Sequence, residues 1–368
     1  MRSSRTRLAR VLTAASLAAL LAVPTWTSSP AASADDTDST TTAASSSLVV
    51  ATFNVRCANC SAKSNNSREK SWAVRSDVVV RQILGEKVDV IGVQEASPGL
   101  LHGSAYGDYD GKSQFENLVG LLGSPYKVTN DVRYNCTRTG TTFTRCGGFQ
   151  DRGASQDSRI IYNSNRLTLL DSGSLRLDSR AIGNGSARYM TWAKFTDQNT
   201  GKKFIFATAH FEPGVSKSKS AVRVKQVKKA TAELADVNTS GLPIIWGSDL
   251  ASSKLTHVGN KSYDAFIANG FVDPLGNSYK AKTIPASAEL TASTAVNEEY
   301  FTLNKFNKAP TTYEGRGYKL GAHLDYILTK GDVETTAWKE VINLDSSGDF
   351  AGVIPSDHNM VRATVTLG

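Results

Sequence analysis

Two apolar runs decide the fold: Leu48-Val49-Val50-Ala51-Thr52-Phe53-Asn54-Val55 and Val88-Asp89-Val90-Ile91-Gly92-Val93-Gln94-Glu95. Each is a short apolar stretch that ends on a polar residue, the pattern of a buried strand. Between them, Glu69 to Leu84 carries Trp72, Val79, Ile83 and Leu84 among its apolar positions at helical spacing, and Gly85 stops it. Strand, helix, strand predicts a right-handed crossover with neighbouring parallel strands. That geometry brings the carboxyl ends of both strands, and so Asn54 and Glu95, to one edge, where open sheets commonly bind ligands.

The same pattern recurs along the chain. Gln114 to Leu122 reads as a short helix, and Arg159 to Tyr162, Leu167 to Leu170 and Arg188 to Phe195 read as strands. Lys203 to His210 is a strand ending on His210, and Leu242 to Gly247 is a buried strand followed by Ser248-Asp249. Tyr263 to Asn269 is a small helix closed by Gly270. Ala322 to Leu328 places Asp325 inside an apolar frame, where an acid needs a partner or a path to solvent. Ser356-Asp357-His358 precedes a final alternating strand, Met360 to Leu367. Ser216 to Ala235 is a long helix whose Lys217, Lys219, Arg223, Lys225, Lys228 and Lys229 read as a solvated basic face, with a phosphate-backbone contact as the alternative. Lys280 to Lys308 lacks periodicity and reads as a polar surface excursion.

Apolar content of 40% and charged content of 21% are those of an ordinary globular chain. Residues 1–34 combine Arg2, Arg5, Arg7 and Arg10, an apolar stretch from Val11 to Val23, and Ala32-Ser33-Ala34, the pattern of a secretory signal peptide cleaved before Asp35. No adjacent arginine pair occurs among those four, which favours the general export route. Residues 35–47 read as a flexible leader and residues 48–368 as one domain, in an extracellular protein. Loss of four arginines and no acids lowers the net charge from +8 to +4, compatible with a polyanionic partner without demanding one. Four cysteines in an exported chain suggest two disulfides. Three pairings exist, and proximity favours Cys57 with Cys60 and Cys136 with Cys146. Cys57-Ala58-Asn59-Cys60 also admits a redox or zinc role, though it stands alone without a second such pair.

Asn54, Glu95, His210, Asp249, Asp325, Asp357 and His358 thus recur at or near strand ends. Amides, carboxylates and two imidazoles without cysteine suit magnesium, or else calcium or manganese, better than zinc. They also suit attack by water on a phosphate ester.

Thr52-Phe53-Asn54-Val55-Arg56, Val93-Gln94-Glu95-Ala96, Thr208-Ala209-His210-Phe211-Glu212, Ser248-Asp249-Leu250-Ala251-Ser252, Leu324-Asp325-Tyr326-Ile327 and Ser356-Asp357-His358 occur in the order found in the endonuclease/exonuclease/phosphatase superfamily. Over residues 48–368 the chain resembles its DNase I-like members, in the texture of secreted actinobacterial ones. The resemblance implies an α/β four-layer sandwich of two packed β-sheets flanked by helices. It implies Glu95 as the central metal ligand with Asn54 beside it and Asp357 as a further metal-side carboxylate. It implies His210 contacting the scissile phosphate, Asp249 orienting or activating water, and Asp325 orienting the final histidine, His358. The expected reaction is divalent-metal-dependent hydrolysis of a phosphate ester, first of all nucleic acid, by a monomer. A phospholipid or sphingomyelin substrate would need an aromatic membrane-contact loop, for which Tyr300, Phe301 and Phe306 are the candidates.

Two departures stand out. The family usually has Gly-Asp-x-Asn where this chain has Ser248-Asp249-Leu250-Ala251, so a hydrogen-bonding amide is replaced by a methyl group. That substitution also admits a degenerate member that binds phosphate ligands without turnover. Arg56 stands where abasic-site endonucleases carry an acid, which argues against that subfamily.

Overall fold

A computed structural model describes residues 47–61, 64–103, 111–137, 148, 150–177, 187–254, 261–277, 291–312 and 322–368. The signal-peptide segment, the leader up to residue 46, and Cys146 lie outside the described residues. In chain order the elements are β1 (Leu48–Asn54), α1 (Ala58–Ser61), α2 (Trp72–Gly85), β2 (Val90–Gln94), α3 (Gln114–Leu122), β3 (Tyr126–Val128), β4 (Arg159–Asn163), β5 (Leu167–Arg176) and β6 (Tyr189–Asp197). They continue with β7 (Lys203–Ala209), α4 (Lys217–Val237), β8 (Ile244–Asp249), α5 (Lys261–Ala268), β9 (Thr294–Val296), β10 (Asp325–Lys330), β11 (Val333–Val341) and β12 (Met360–Leu367).

The crossover expected from the opening sequence is present: β1 and β2 pair in parallel, Asn54 opposite Gln94, with α2 between them in the chain. One sheet has the order β3-β4-β2-β1-β12-β11-β9 and the other β10-β8-β7-β6-β5. Their side chains alternate, so each strand feeds two cores. Val50, Val90, Ile160, Phe195, Phe204, Phe206, Ile245 and Val361 fill the space between the sheets. Ala51, Phe53, Ile91, Val93 and Ile161 face the other way and pack with Trp72, Val79 and Ile83 of α2 and with Phe115 and Leu118 of α3. Ile205, Ala207, Ile244 and Trp246 pack outward with Val227, Ala230 and Leu234 of α4 and with Phe266 of α5. The result is the four-layer α/β sandwich, helices on sheet on sheet on helices.

Helix starts follow their capping chemistry. Ser113 and Glu116 form a reciprocal capping box at α3, and the Ser216 side chain accepts the Lys219 N–H at α4. No helix among the described residues is long and apolar enough to cross a membrane. The local disulfide Cys57–Cys60 is formed, and Cys136 is also disulfide-bonded.

Three expectations need correction. The segment read as a surface excursion contributes β9 to the large sheet and buries Phe301, Thr302, Asn304 and Phe306. Its two phenylalanines are therefore unavailable as a membrane-contact loop. The basic helix is not uniformly solvated, because Arg223 is buried and donates to the carbonyls of Glu212 and Gly214. Finally, β3, β9 and β11 had no counterpart in the apolar patterns of the sequence.

The sheets meet closely where both lack a side chain, at Gly92 and Gly247. A Cβ on Gly92 would lie 2.5 Å from Thr208 Oγ1 and 2.7 Å from the Gly247 carbonyl oxygen, and one on Gly247 would lie 3.1 Å from the Ala51 carbonyl oxygen. Gly92→Ala is expected to lower stability by about 1–3 kcal/mol through overpacking and to depress activity at equal folded fraction, because the site straddles this seam. Thermal unfolding and a turnover assay check it; a wild-type melting temperature would show that the seam can open without cost.

Candidate active site

Seven expected site residues meet at one end of the sandwich, and strand direction explains why. Parallel β1 and β2 end at Asn54 and next to Glu95, and β7 and β8 end beside His210 and at Asp249, which bridge each other. β10 and β12 run antiparallel to β8 and β1, so their first turns bring in Asp325, opposite Asp249, and Asp357 with His358. The loop 301–304 braces that last turn: Asn304 N–H donates to the Asp357 carbonyl at 2.7 Å and Asn304 Nδ2 to the Ser356 carbonyl at 3.0 Å.

Asp249 is the hub. Its Oδ2 accepts from Asn54 Nδ2 at 3.1 Å and lies 3.5 Å from His210 Nε2 and 3.9 Å from His358 Nε2. Its Oδ1 accepts the Ala251 N–H at 2.7 Å. Burial alone would raise the Asp249 carboxyl, but the neighbouring His358 and His210 and these hydrogen bonds hold it below the usual carboxylate range. His358 Nδ1 lies 2.8 Å from Asp325 Oδ2. Burial opposes protonation of His358, yet the charges of Asp325 and Asp249 hold its imidazole well above the usual histidine range. Burial pushes the partner Asp325 carboxyl the other way, above its usual range, against the pull of His358.

A second carboxylate, not singled out in the sequence, backs the other histidine. Asp157 Oδ2 lies 3.5 Å from His210 Nδ1. Its carboxyl is held low by the neighbouring His210 ring and by Arg188 4.0 Å away. Its signal was available: β4 is antiparallel to β2, with Arg159 opposite Val93, so the residues just before β4 must lie at the edge where β2 ends.

The expected metal-side residues form the adjoining group. Asn54 Nδ2 also donates to Glu95 Oε1 at 3.3 Å, and Cys57 N–H donates to Glu95 Oε2 at 3.0 Å. Burial holds the Asp357 carboxyl above its usual range, and the Glu95 charge adds to this against the pull of His358 and Arg56. A cation would relieve both effects. Glu95, Asp357 and the Asn54 amide are hard oxygen donors that fit magnesium, calcium or manganese. Ligand atoms of Asp249, Asp325 and His358 also lie within 4.8 Å of one another. Cys57 and Cys60 lie near Glu95, but their sulfurs are consumed by the disulfide, so neither thiolate chemistry nor zinc applies there.

The cleft over these groups encloses about 410 Å³ and is lined by Glu95, His210, Asp249, Ser252, Ser253 and His358, with Arg223 and Lys305 in its walls. Ala251 also lines it, and its φ of 47° lies in the left-handed region, where asparagine is far better tolerated than alanine.

No protein-family sequence model matches the chain, and no curated protein sequence matches it. Solved structures do. An endonuclease/exonuclease/phosphatase from Bacteroides vulgatus superposes with a TM-score of 0.60 at 19% identity, over 88% of this chain and 100% of that one. A mannosyl-6-phosphatase from Bacteroides thetaiotaomicron gives 0.58 at 18% identity, over 87% and 100%. Danio rerio TDP2 complexed with a single-strand DNA product gives 0.51 at 14% identity, over 87% and 99%. The fold is thus the endonuclease/exonuclease/phosphatase, or DNase I-like, fold.

Two substitutions test the local geometry. Asp157→Asn keeps the shape but removes the charge behind His210, and kcat is expected to fall by about 10²-fold with little change in melting temperature. A displaced limb in the pH–rate profile separates this from a structural effect; an unmoved profile with wild-type kcat removes Asp157 from the site. Ala251→Asn restores an amide at a left-handed position facing the cleft, so it is expected to raise the melting temperature slightly and to raise turnover. Unchanged turnover in Ala251→Asn, together with a loss in Ser252→Ala or Ser253→Ala, would assign the missing donor to that serine.

Proposed function

We propose that this chain is an exported, divalent-metal-dependent phosphodiesterase whose substrate is nucleic acid. The observation that carries this reading is the convergence of two acid-backed imidazoles on Asp249. His358 is backed by Asp325 and His210 by Asp157. This constellation matches the demands of phosphate-ester hydrolysis. A dication held by Glu95 and Asp357, with Asn54 beside them, would supply positive charge to phosphate oxygens. The chain's own side chains supply the rest. Ionised Asp249 accepts a proton from the attacking water while Asn54 Nδ2 fixes its orientation. His358, held by Asp325, is the proton donor to the leaving oxygen, and His210, beside Asp157, places a ring N–H against the phosphate. Export is supported by the leader pattern and by the cystines at Cys57–Cys60 and Cys136.

Nucleic acid is favoured over lipid on two grounds. Lys217, Lys225 and Lys228 are exposed on α4, which begins just after the cleft residues Pro213, Gly214 and Val215. The phenylalanines that a lipid-contact loop would need are in the core. Among the neighbouring folds, TDP2 is seen with a DNA product and another is a sugar phosphatase, consistent with a phosphate ester here.

The purified protein is to be assayed with magnesium, calcium and manganese on plasmid DNA, RNA, sphingomyelin and inositol phosphates. DNA or RNA cleavage that EDTA abolishes is the expected result. Glu95→Gln should nearly abolish it while leaving thermal unfolding similar. An active Glu95→Gln enzyme with unchanged metal dependence would overturn the metal assignment. Sphingomyelin turnover alone would overturn the substrate class. A wild-type protein inert on every substrate yet binding metal and phosphate would make the chain a binding module, as Ala251 allows.

A further inference from the structure

We propose that Lys305 and Arg68 form a cationic rim on the His358 side of the cleft, which binds the phosphates of a nucleic-acid strand that neighbour the scissile one. The proposal rests on the nucleic-acid reading above and adds where the rest of the strand lies. Lys305 is exposed and lines the cleft with His358 and Leu303. Arg68 is exposed on the segment between α1 and α2. Two hydrogen bonds join these segments: Asn66 Nδ2 donates to the Lys305 carbonyl at 3.3 Å, and Arg68 Nε donates to the Phe306 carbonyl at 2.9 Å. The two cations therefore belong to one rim.

The backbone is bent to present Lys305. Lys305 and Phe306 have φ values of 55° and 53°, two successive non-glycine residues in the costly left-handed region. Phe306 is buried, with its ring centroid 5.9 Å from the Arg75 guanidinium, and its N–H donates to Asn304 Oδ1 at 2.8 Å. The Lys305 N–H donates to the carbonyl of Asp357 at 3.0 Å, one residue before His358. Phe306 anchors the turn from inside, and the lysine before it stays at the surface beside the reacting groups.

The neighbouring charges single out this pair. Lys308 Nζ lies 2.6 Å from Asp349 Oδ2, and Arg56 lies 2.8 Å from the Glu69 carboxylate and 3.4 Å from that of Asp357, so both are answered by acids. The Arg68 bond to Phe306 uses Nε alone, which leaves its two terminal nitrogens to take a phosphate among the described residues. Strand order sets the direction of the bound chain. β8, which ends at Asp249, lies between β10 and β7. His358, against Asp325 of β10, and His210, after β7, therefore flank Asp249 on opposite sides. The exposed lysines of α4 follow the loop after His210, and the rim lies beside His358. A strand crossing Asp249 thus meets cations on both sides. Ammonium and guanidinium groups hold phosphate oxygens without reading the base.

The full chain is to be assayed across a salt series on a single-stranded oligonucleotide and on bis(p-nitrophenyl) phosphate, a diester with no second phosphate. Lys305→Gln and Arg68→Gln are each expected to raise KM for the oligonucleotide by about tenfold, with kcat affected far less. Each should also flatten the slope of log(kcat/KM) against log salt by about 0.7. The loss on the small diester should be much smaller, because that substrate offers the rim nothing to hold. Lys305→Arg, which keeps the charge, should restore the wild-type slope. If Arg68→Gln loosens the rim by losing its bond to Phe306, Lys305→Gln carries the test, since its turn is held by backbone groups and by Phe306. If wild type binds the oligonucleotide without cleaving it, the same slopes are read from fluorescence anisotropy. A folded double variant with the wild-type slope, or equal losses on both substrates, overturns the proposal and leaves the phosphodiesterase reading intact. A wild type that cleaves the small diester but neither cleaves nor binds the oligonucleotide overturns the nucleic-acid reading itself, and the rim with it.

Discussion

Everything at the active end depends on how closely the two sheets approach. Gly92 and Gly247 remove side chains from both facing surfaces at one level. The gap is bridged by polar groups rather than by more hydrocarbon: Gln94 Nε2 donates to Thr52 Oγ1 on its own sheet at 3.0 Å and to Thr208 Oγ1 on the other at 2.8 Å. One step further along the strands, the Asn54 amide does the same for function, donating to Glu95 on its own sheet and Asp249 on the other. Below this level the sheets are held apart by Phe195, Phe204 and Phe206. At the end where the polar strand termini lie, side chains from both sheets come within hydrogen-bonding distance.

Much of this was legible in the sequence, for a physical reason. Strands such as Leu48–Asn54 and Met360–Leu367 alternate because they feed two cores, and parallel or antiparallel pairing then dictates which terminus lies at which end. Two of the illegible parts bury polar residues among their apolar ones. Strand β11 carries Glu340, fully buried, its carboxyl pushed well above the usual range by burial and accepting from Asn359 Nδ2 at 2.6 Å. A glutamate inside a sheet hides the strand from any hydrophobic pattern. The segment 301–304 is equally opaque, since Thr302 and Asn304 are buried to brace Leu324, Asp325 and the 356–359 turn through hydrogen bonds. Asp157 is marked only by strand direction, which places it beside His210, and by nothing in its own neighbourhood.

The electrostatics divide the site into two halves that meet at Asp249. On one half, two imidazoles, each beside a second acid, stand around the Asp249 carboxylate. On the other, Glu95 and Asp357 gather negative charge, partly answered by Arg56. A phosphate diester is an anion attacked by a nucleophile whose proton must leave, so it needs cations on its oxygens and a base beside the water. The first half carries two imidazoles and the Asp249 carboxylate. The second offers the oxygen donors that attract a hard cation. Asn54 belongs to both, and its two donated bonds keep the halves in register.

Backbone strain shows where this arrangement is enforced. Arg56, Glu95 and Ala251 all have left-handed φ values, 57°, 59° and 47°. Such conformations cost non-glycine residues on the order of 1–3 kcal/mol each. Each turn serves a particular hydrogen bond or ion pair. The turn at Arg56 gives its N–H to Asn54 Oδ1 and its guanidinium to Glu69. The turn at Glu95 lets its carboxylate receive both Asn54 Nδ2 and Cys57 N–H. The turn at Ala251 aims its N–H at Asp249 Oδ1. That last donor belongs to the backbone, so it survives replacement of the usual asparagine by alanine. What alanine loses is the side-chain amide toward the cleft; what it keeps is the hydrogen bond that helps hold Asp249 ionised. The departure from the expected pattern therefore removes a side-chain amide from the cleft while leaving the backbone bond to Asp249 in place.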